Sequence, residues 1–385
     1  MKLNPFFVLL FILATLPGIA QQPAQTEKRL KPVETLVSPE IHSDRRVTFR
    51  VRAPNARQVI LRGPETLYAQ NEEWPMKRDE AGGWSVTVGP VKPEIYSYTY
   101  VIDGVSFIDS NNPNVKIGYR TPQSLVKVPG DQPAFYDELP VSHGKVQLDY
   151  YESETLGRLR RLCVYTPPDY EKDQEARFPV LYLLHGTGDS ETTWTSVGRA
   201  NLIMDNLLAE GKAKPALIVM PFGHIFTGPP REITLARIVG DVNRFEEELV
   251  EDVIPFVERN YRVQAHREAR AIAGLSMGGF QALTIGLNNL DRFAWVGGFS
   301  MGVLGWSDPK EAFAHLFSNP EATNEKLRLL WIGCGKKDRL FEGTVQFAEV
   351  LEQHKINHVF RISGGAHNWI PWRRYLNELL PLLFN

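Results

Sequence analysis

Two rhythms of hydrophobic and polar positions divide the chain. Between residues 39 and 132 apolar residues fall at every second position: Val47, Phe49 and Val51; Trp84, Val86 and Val88 after Gly82-Gly83; Tyr96, Tyr98, Tyr100 and Ile102. A period of two turns one side of each strand to a core and the other to water. Asp103-Gly104 then reads as a tight hairpin turn. The block is expected to be a small β-sandwich with Trp84 in its core.

From about residue 140 the rhythm changes. Short apolar runs at 146–151, 160–165, 180–184, 216–220, 270–275, 294–299, 328–332 and 358–362 read as strands. Between them, amphipathic stretches at 199–210, 245–260, 277–287, 310–317, 344–354 and 375–383 read as helices. Strands alternating with helices argue a mostly parallel, eight-stranded sheet covered on both faces, the arrangement of an α/β-hydrolase.

The first 38 residues follow neither rhythm. Lys2, the apolar run Phe6 to Leu16 and the small residues Pro17-Gly18-Ile19-Ala20 form a secretory signal peptide over 1–20, cut before Gln21. Residues 21–38 are polar and read as a linker, followed by the sandwich (39–132) and the α/β domain (140–385). The expected address is therefore secreted, periplasmic or extracellular. No later run is long enough for a membrane span. A formal charge of -2 gives no reason to expect nucleic acid or an anionic membrane as partner. Cys163 and Cys334, the two cysteines, both lie in expected strands and read as buried thiols.

Chemistry concentrates at Ala271–Phe280, AIAGLSMGGF. An apolar strand ends at Gly274 and a helix opens after Ser276, so the serine occupies a sharp strand-to-helix corner where Gly274 and Gly278 leave no room for Cβ atoms. A nucleophile placed there needs an acid and a base from later strand ends, in the order Ser, Asp, His. Asp338, after the 328–332 run, and His367, after the 358–362 run, are the expected partners. Backbone N–H groups of Met277, at the helix start, and Thr187, after His185-Gly186, are the expected oxyanion donors; Gly186 or Gly188 would serve if the loop is offset. His185 is expected to order backbone, and His224 to stand near the cleft. No His, Cys or carboxylate spacing suggests zinc.

The segments HGTGDSETTWTSVGRANLIMDNLLAEGK (185–212), FEEELVEDVIPFVERNYRV (245–263), REARAIAGLSMGGFQALTIGLNNLDRFAWVGGFS (267–300) and GGAHNWIPWRRYL (364–376) together resemble carbohydrate esterase family one, especially its bacterial feruloyl esterases. The earlier block, through VTFRVRAPNARQVILRG (47–63), GGWSVTV (82–88) and YSYTYVIDGVSFIDSNNP (96–113), resembles the early-set, immunoglobulin-like carbohydrate-binding module ahead of isoamylase-type enzymes, which implies an immunoglobulin-like β-sandwich. The likeness implies ester hydrolysis through an acyl-enzyme without metal or organic cofactor, on feruloylated or acetylated arabinoxylan or xylo-oligosaccharides.

A planar ferulate wants aromatic walls, and Trp194, Trp306 and Trp369 follow strand ends on the correct side for that task. Trp331 and Trp372 read as core. Acetyl-xylan ester and then siderophore ester are the alternative substrates. A glycan-binding protein with a retired hydrolase domain is the non-enzyme alternative. The oligomeric state is not legible.

Overall fold

Val47, Phe49 and Val51 turn inward together, and the strand they occupy, Val47–Arg52, pairs with Gly83–Val88 in an antiparallel sheet completed by Glu40–Ile41 and Lys77–Arg78. This is a computed structural model. It describes residues 36–63, 73–119, 122–226, 234–301, 306 and 308–385. The expected signal peptide and nearly all of the expected linker lie outside the described residues.

A second antiparallel sheet is built around Glu94–Ile102, with Val59–Arg62, Gln123–Val128 and shorter strands beside it. Between the two sheets Phe49 meets Tyr98 edge-on, with ring centroids 4.7 Å apart. Trp84 is buried in the same core, its Nε1 donating to the Ala53 carbonyl at 2.9 Å. Asp103 and Gly104 take φ values of 47° and 87°, the left-handed pair a two-residue hairpin turn requires.

One strand departs from the expected alternation. Along Glu94–Ile102 every residue but the last is buried, so both faces are covered. The inward face is the tyrosine row. On the other face Ile95, with Leu125 of the neighbouring strand, joins the core containing Trp194, Trp369 and Trp372 of the α/β part. Ile370 of the last helix returns the contact by packing into the sandwich core. At the seam Arg373 Nη2 meets Glu94 Oε1 at 2.5 Å, and both side chains are buried. The sandwich is thus a packed layer of one larger core.

The second sheet has eight strands, as expected. They run in the order Lys145–Ser153, Arg158–Thr166, Leu217–Pro221, Val180–Leu184, Arg270–Leu275, Trp295–Phe299, Leu329–Gly335 and Val359–Ser363. The first two pairings are antiparallel and the remaining five parallel. From the Val180–Leu184 strand the chain turns first to one neighbour and later to the other. Connections part at that point, leaving a crevice at the carboxyl ends of the strands.

Helix boundaries differ more than strands. The stretch 245–260, expected as one helix, begins at Leu235, widens to a π-turn at Leu249–Val253 and resumes as Ile254–Asn260. Pro255 has no N–H for the ladder, and the buried Asp252 carboxylate accepts from the Ser153 hydroxyl at 2.6 Å. The last helix begins at Trp369, six residues before its expected start, because Asn368 caps it by accepting from the Ile370 amide at 3.2 Å. Trp372 is therefore in mid-helix, and it is core, as is Trp331. Cys163 and Cys334 are free and buried, and burial pushes both thiols up to about 12.

Candidate active site

Ser276 sits where the Arg270–Leu275 strand meets the Met277–Asn288 helix, at φ 51° and ψ -118°. A non-glycine residue in that region stores on the order of 1–3 kcal/mol of backbone strain. The surrounding glycines permit it. A Cβ on Gly274 would stand 2.3 Å from the Gly278 carbonyl oxygen, and one on Gly278 would stand 2.5 Å from the carbonyls of Leu184 and His185.

His367 lies beyond the Val359–Ser363 strand, and its Nε2 is 2.9 Å from Ser276 Oγ. Its Nδ1 is 2.9 and 3.0 Å from the two carboxylate oxygens of Asp338, which follows the Leu329–Gly335 strand. An ionised Asp338 fixes the Nδ1–H tautomer and leaves Nε2 to accept the serine proton. Burial alone would raise the Asp338 carboxyl. The hydrogen bond and charge of His367, with the Leu340 amide and Ser300, outweigh burial and hold it below the ordinary aspartate value. The three side chains expected from separate strand ends are thus brought together.

Two supporting residues were not foreseen. Trp372 sets its ring perpendicular to His367 at 5.1 Å, and its Nε1 donates to Ser300 Oγ at 2.9 Å. Neither carries a sequence signal for this role. Trp372 reads only as an apolar residue near a helix, and Ser300 only as the end of a strand.

Of the expected oxyanion donors, the amides of Thr187 and Met277 donate to no acceptor among the described residues. The Gly188 amide is directed instead to His224 Nε2 at 3.4 Å. Gly186 presses on the elbow, since a Cβ there would stand 2.6 Å from Leu275 Cδ1 and 3.5 Å from Ser276 Cβ.

His185 holds this loop as a backbone staple. Its Nδ1–H donates to the Gly186 carbonyl at 2.9 Å and its Nε2 accepts from the Gly223 amide at 2.9 Å. Gln281, on the elbow helix, donates to the Gly223 carbonyl at 3.0 Å. Behind the loop 222–224 the buried Arg160 is paired with Glu248 at 2.6 Å and donates to the carbonyls of Phe222 and His224. Burial presses the His185 pKa below the ordinary 6.5. An unfolded chain therefore binds a proton that the folded one refuses, so the contribution of His185 to stability is whole above about pH 6.5 and is lost as pH falls through the folded value. Denaturant titrations at pH 7.5 and 5.5 are expected to show a larger acid loss for wild type than for His185→Gln; equal losses would refute the assignment.

The sandwich also reaches this site. Its segment 116–119 lies against the loop 186–190: Lys116 Nζ meets Asp189 Oδ1 at 3.0 Å, Ser190 Oγ donates to the Ile117 carbonyl at 2.6 Å, and the Tyr119 amide donates to the Asp189 carbonyl at 3.3 Å. The Tyr119 ring stacks on His224 with centroids 5.1 Å apart. At the closest approach, a Cβ on Gly118 would stand 2.2 Å from the Gly188 carbonyl oxygen. Gly118→Ala must push this loop, and is expected to lower kcat on a small ester by roughly tenfold to a hundredfold, the scale of an ångström-sized displacement. An unchanged kcat would show that the loop tolerates the push.

The three tryptophans expected to hold substrate separate. Trp194 is 0% exposed and its Nε1 donates to the Leu184 carbonyl at 3.0 Å. Trp369, 5% exposed, packs edge-on against it at 5.0 Å. Both belong to the core beneath the site, which corrects the expectation for them: no ligand can reach a ring enclosed on all sides. Trp306 is half-buried against Phe280, Phe313 and Phe347, with Nε1 directed to Thr284 Oγ1 at 3.2 Å. It alone of the three keeps an accessible surface. Among the described residues no three His, Cys, Asp or Glu side chains are grouped to hold a metal ion, and no helix is long and apolar enough to cross a membrane.

Comparison with known proteins agrees with this architecture. Residues 153–383 match the putative esterase family, and residues 37–117 match carbohydrate-binding module 48, the isoamylase N-terminal domain. An endo-1,4-beta-xylanase/feruloyl esterase of Xylanibacter ruminicola is 32% identical over 358 residues, covering 90% of this chain and 46% of that protein. The chain spans less than half the length of the first curated relatives it matches. Among solved structures, the ferulic acid esterase of Anaeromyces mucronatus, of carbohydrate esterase family one, superposes with a TM-score of 0.58 at 23% identity, covering 66% of this chain and 96% of that one. The enterobactin esterase of Shigella flexneri gives 0.63 at 18% identity, covering 87% and 92%. At these identities the two structures speak for the fold alone.

Proposed function

The chain belongs to the putative esterase family, and from that premise we propose that it is a carboxylic ester hydrolase of feruloyl-esterase type, releasing ferulate or related hydroxycinnamates from arabinoxylan by a serine mechanism. Ser276 Oγ attacks the ester carbonyl while His367 Nε2 takes its proton. Asp338 steadies the imidazolium that results. The tetrahedral oxyanion accepts from the amides of Met277 and Thr187, each worth about 3 kcal/mol of transition-state stabilisation. His367 returns the proton to the departing sugar alkoxide, and water, activated by the same imidazole, releases the acid from the acyl-enzyme.

The observation that carries the chemistry is the continuous chain of hydrogen bonds from Ser276 through His367 to Asp338, with no step longer than 3.0 Å. What supports the feruloyl ester is the likeness, over nine-tenths of this chain, to a relative whose name includes that activity. Trp306 is the aromatic wall we assign to the acyl slot, and export after cleavage near Ala20 is part of the same reading.

Product analysis on feruloylated and acetylated arabinoxylan tests it. Ferulate is the expected acid. Acetate without ferulate would transfer the assignment to acetyl-xylan ester, and neither product would transfer it to siderophore esters.

A further inference from the structure

Beside the catalytic mouth lies a second recess, of about 380 Å³, with an unusual lining. Tyr119 comes from the sandwich, Phe222 and Phe226 from the loop beyond the Leu217–Pro221 strand, and Tyr150, Arg158 and Arg161 from the edge hairpin of the α/β sheet. Among the described residues no acidic side chain lines it. Arg160, at its floor, is already satisfied by the buried Glu248, and Arg161 by the buried Glu191 at 2.9 Å. Arg158 differs. It donates to the Ile225 carbonyl and meets no carboxylate among the described residues. Burial first, and then the neighbouring Arg160, weaken its hold on its proton by more than the charge of Glu248 strengthens it.

The lining therefore selects a ligand with two properties. Aromatic rings offer flat apolar faces of the kind on which the C–H faces of a pyranose pack. A guanidinium with no carboxylate in contact offers a planar fork for one. Tyr150 is 54% exposed, so the recess is open enough at its rim for a polymer to pass. Phe222, on its inner wall, also packs against His185 at 5.7 Å and His224 at 5.6 Å, the histidines bonded to the loop 186–188 beside Ser276.

We propose that this recess is a subsite for a carboxylate-bearing sugar, a uronosyl unit carried by the same xylan whose ester is cleaved at Ser276. The proposal rests on the xylan-ester reading above for its substrate class. It adds that the enzyme prefers acidic xylan, and that sandwich and edge hairpin share the recognition.

Binding, measured without turnover, keeps the two readings apart. The full chain is titrated calorimetrically with de-esterified xylo-oligosaccharides bearing uronosyl groups, and with the same oligosaccharides after enzymatic removal of those groups. Wild type is expected to bind the acidic set about tenfold or more tightly, the scale of a charge-assisted hydrogen bond, with an advantage that shrinks in high salt. Arg158→Gln is expected to erase that advantage, and Tyr150→Ala to weaken both sets. Equal affinity of wild type for the two sets, or retention of the full advantage in Arg158→Gln, overturns the proposal. Should Arg158→Gln melt earlier than wild type through loss of its Ile225 contact, the exposed Tyr150→Ala decides, and wild-type binding by that variant overturns it. Because no ester is cleaved in this assay, failure of the feruloyl reading would appear only in the product analysis.

Discussion

Ser276→Ala is expected to lower kcat on every ester the protein cleaves by about ten-thousand-fold or more, with little change in KM or melting temperature. The expectation follows from where the hydroxyl stands. It is the only part of the side chain that His367 Nε2 addresses, at 2.9 Å, and alanine keeps the Cβ that packs near Gly186. Removing it takes away the attacking atom and leaves the pocket intact. Asp338→Asn should come within a similar factor, about ten-thousand-fold, by a different route. An amide beside His367 Nδ1 can donate its own proton, so the imidazole is free to adopt the tautomer that cannot accept from serine. Hydrolysis measured with purified variants checks both. A Ser276→Ala protein with a tenth of the wild-type rate would mean that another group is the nucleophile.

Arg373→Met should destabilise the protein by about 3–5 kcal/mol, the usual result of leaving one member of a buried ion pair alone. Arg373 is wholly enclosed. It pairs with Glu94 at 2.5 Å, donates to the Val197 carbonyl at 2.9 Å and lies over the Tyr136 ring. With the guanidinium gone, the Glu94 carboxylate keeps the Ile95 amide at 3.0 Å, but the cation left to it among the described residues is Arg374, more distant at 3.7 Å and largely exposed. Replacing both members, with Glu94→Leu beside Arg373→Met, should recover much of the loss, since no charge is then stranded. Denaturant unfolding of the two single variants and the double closes the cycle. A single variant within about 1 kcal/mol of wild type would show that water reaches the seam.

Most of the fold was legible because each element announces itself locally. The runs at 180–184 and 270–275 coincide with Val180–Leu184 and Arg270–Leu275, since a strand buried on both faces in a parallel sheet is simply an apolar run with sharp ends. The positions of Ser276, Asp338 and His367 at three strand ends were legible for the same reason. What escaped depends on contacts distant in sequence. Trp194 reads as a loop residue at the right edge of the sheet, and nothing nearby in the chain says that a short helix, Thr193–Ser196, rolls its indole inward to the Leu184 carbonyl. Which residues join the sandwich to the loop 186–190 was not legible either. Lys116 and Asp189 are each an ordinary surface charge until 73 positions of intervening chain are folded away.

The seam between the two sheets has a consequence for how such a chain can change over generations. Ile370 is packed into the sandwich core, Ile95 into the hydrolase core, and Gly118 lies against Gly188 with no space for a methyl group. A recombination event that exchanged the N-terminal block for an unrelated one would strip apolar surface from the last helix, strand Arg373 and loosen the loop beside the nucleophile in one step. The two blocks are therefore a single heritable unit, and diversification has to proceed by paired substitutions across the seam.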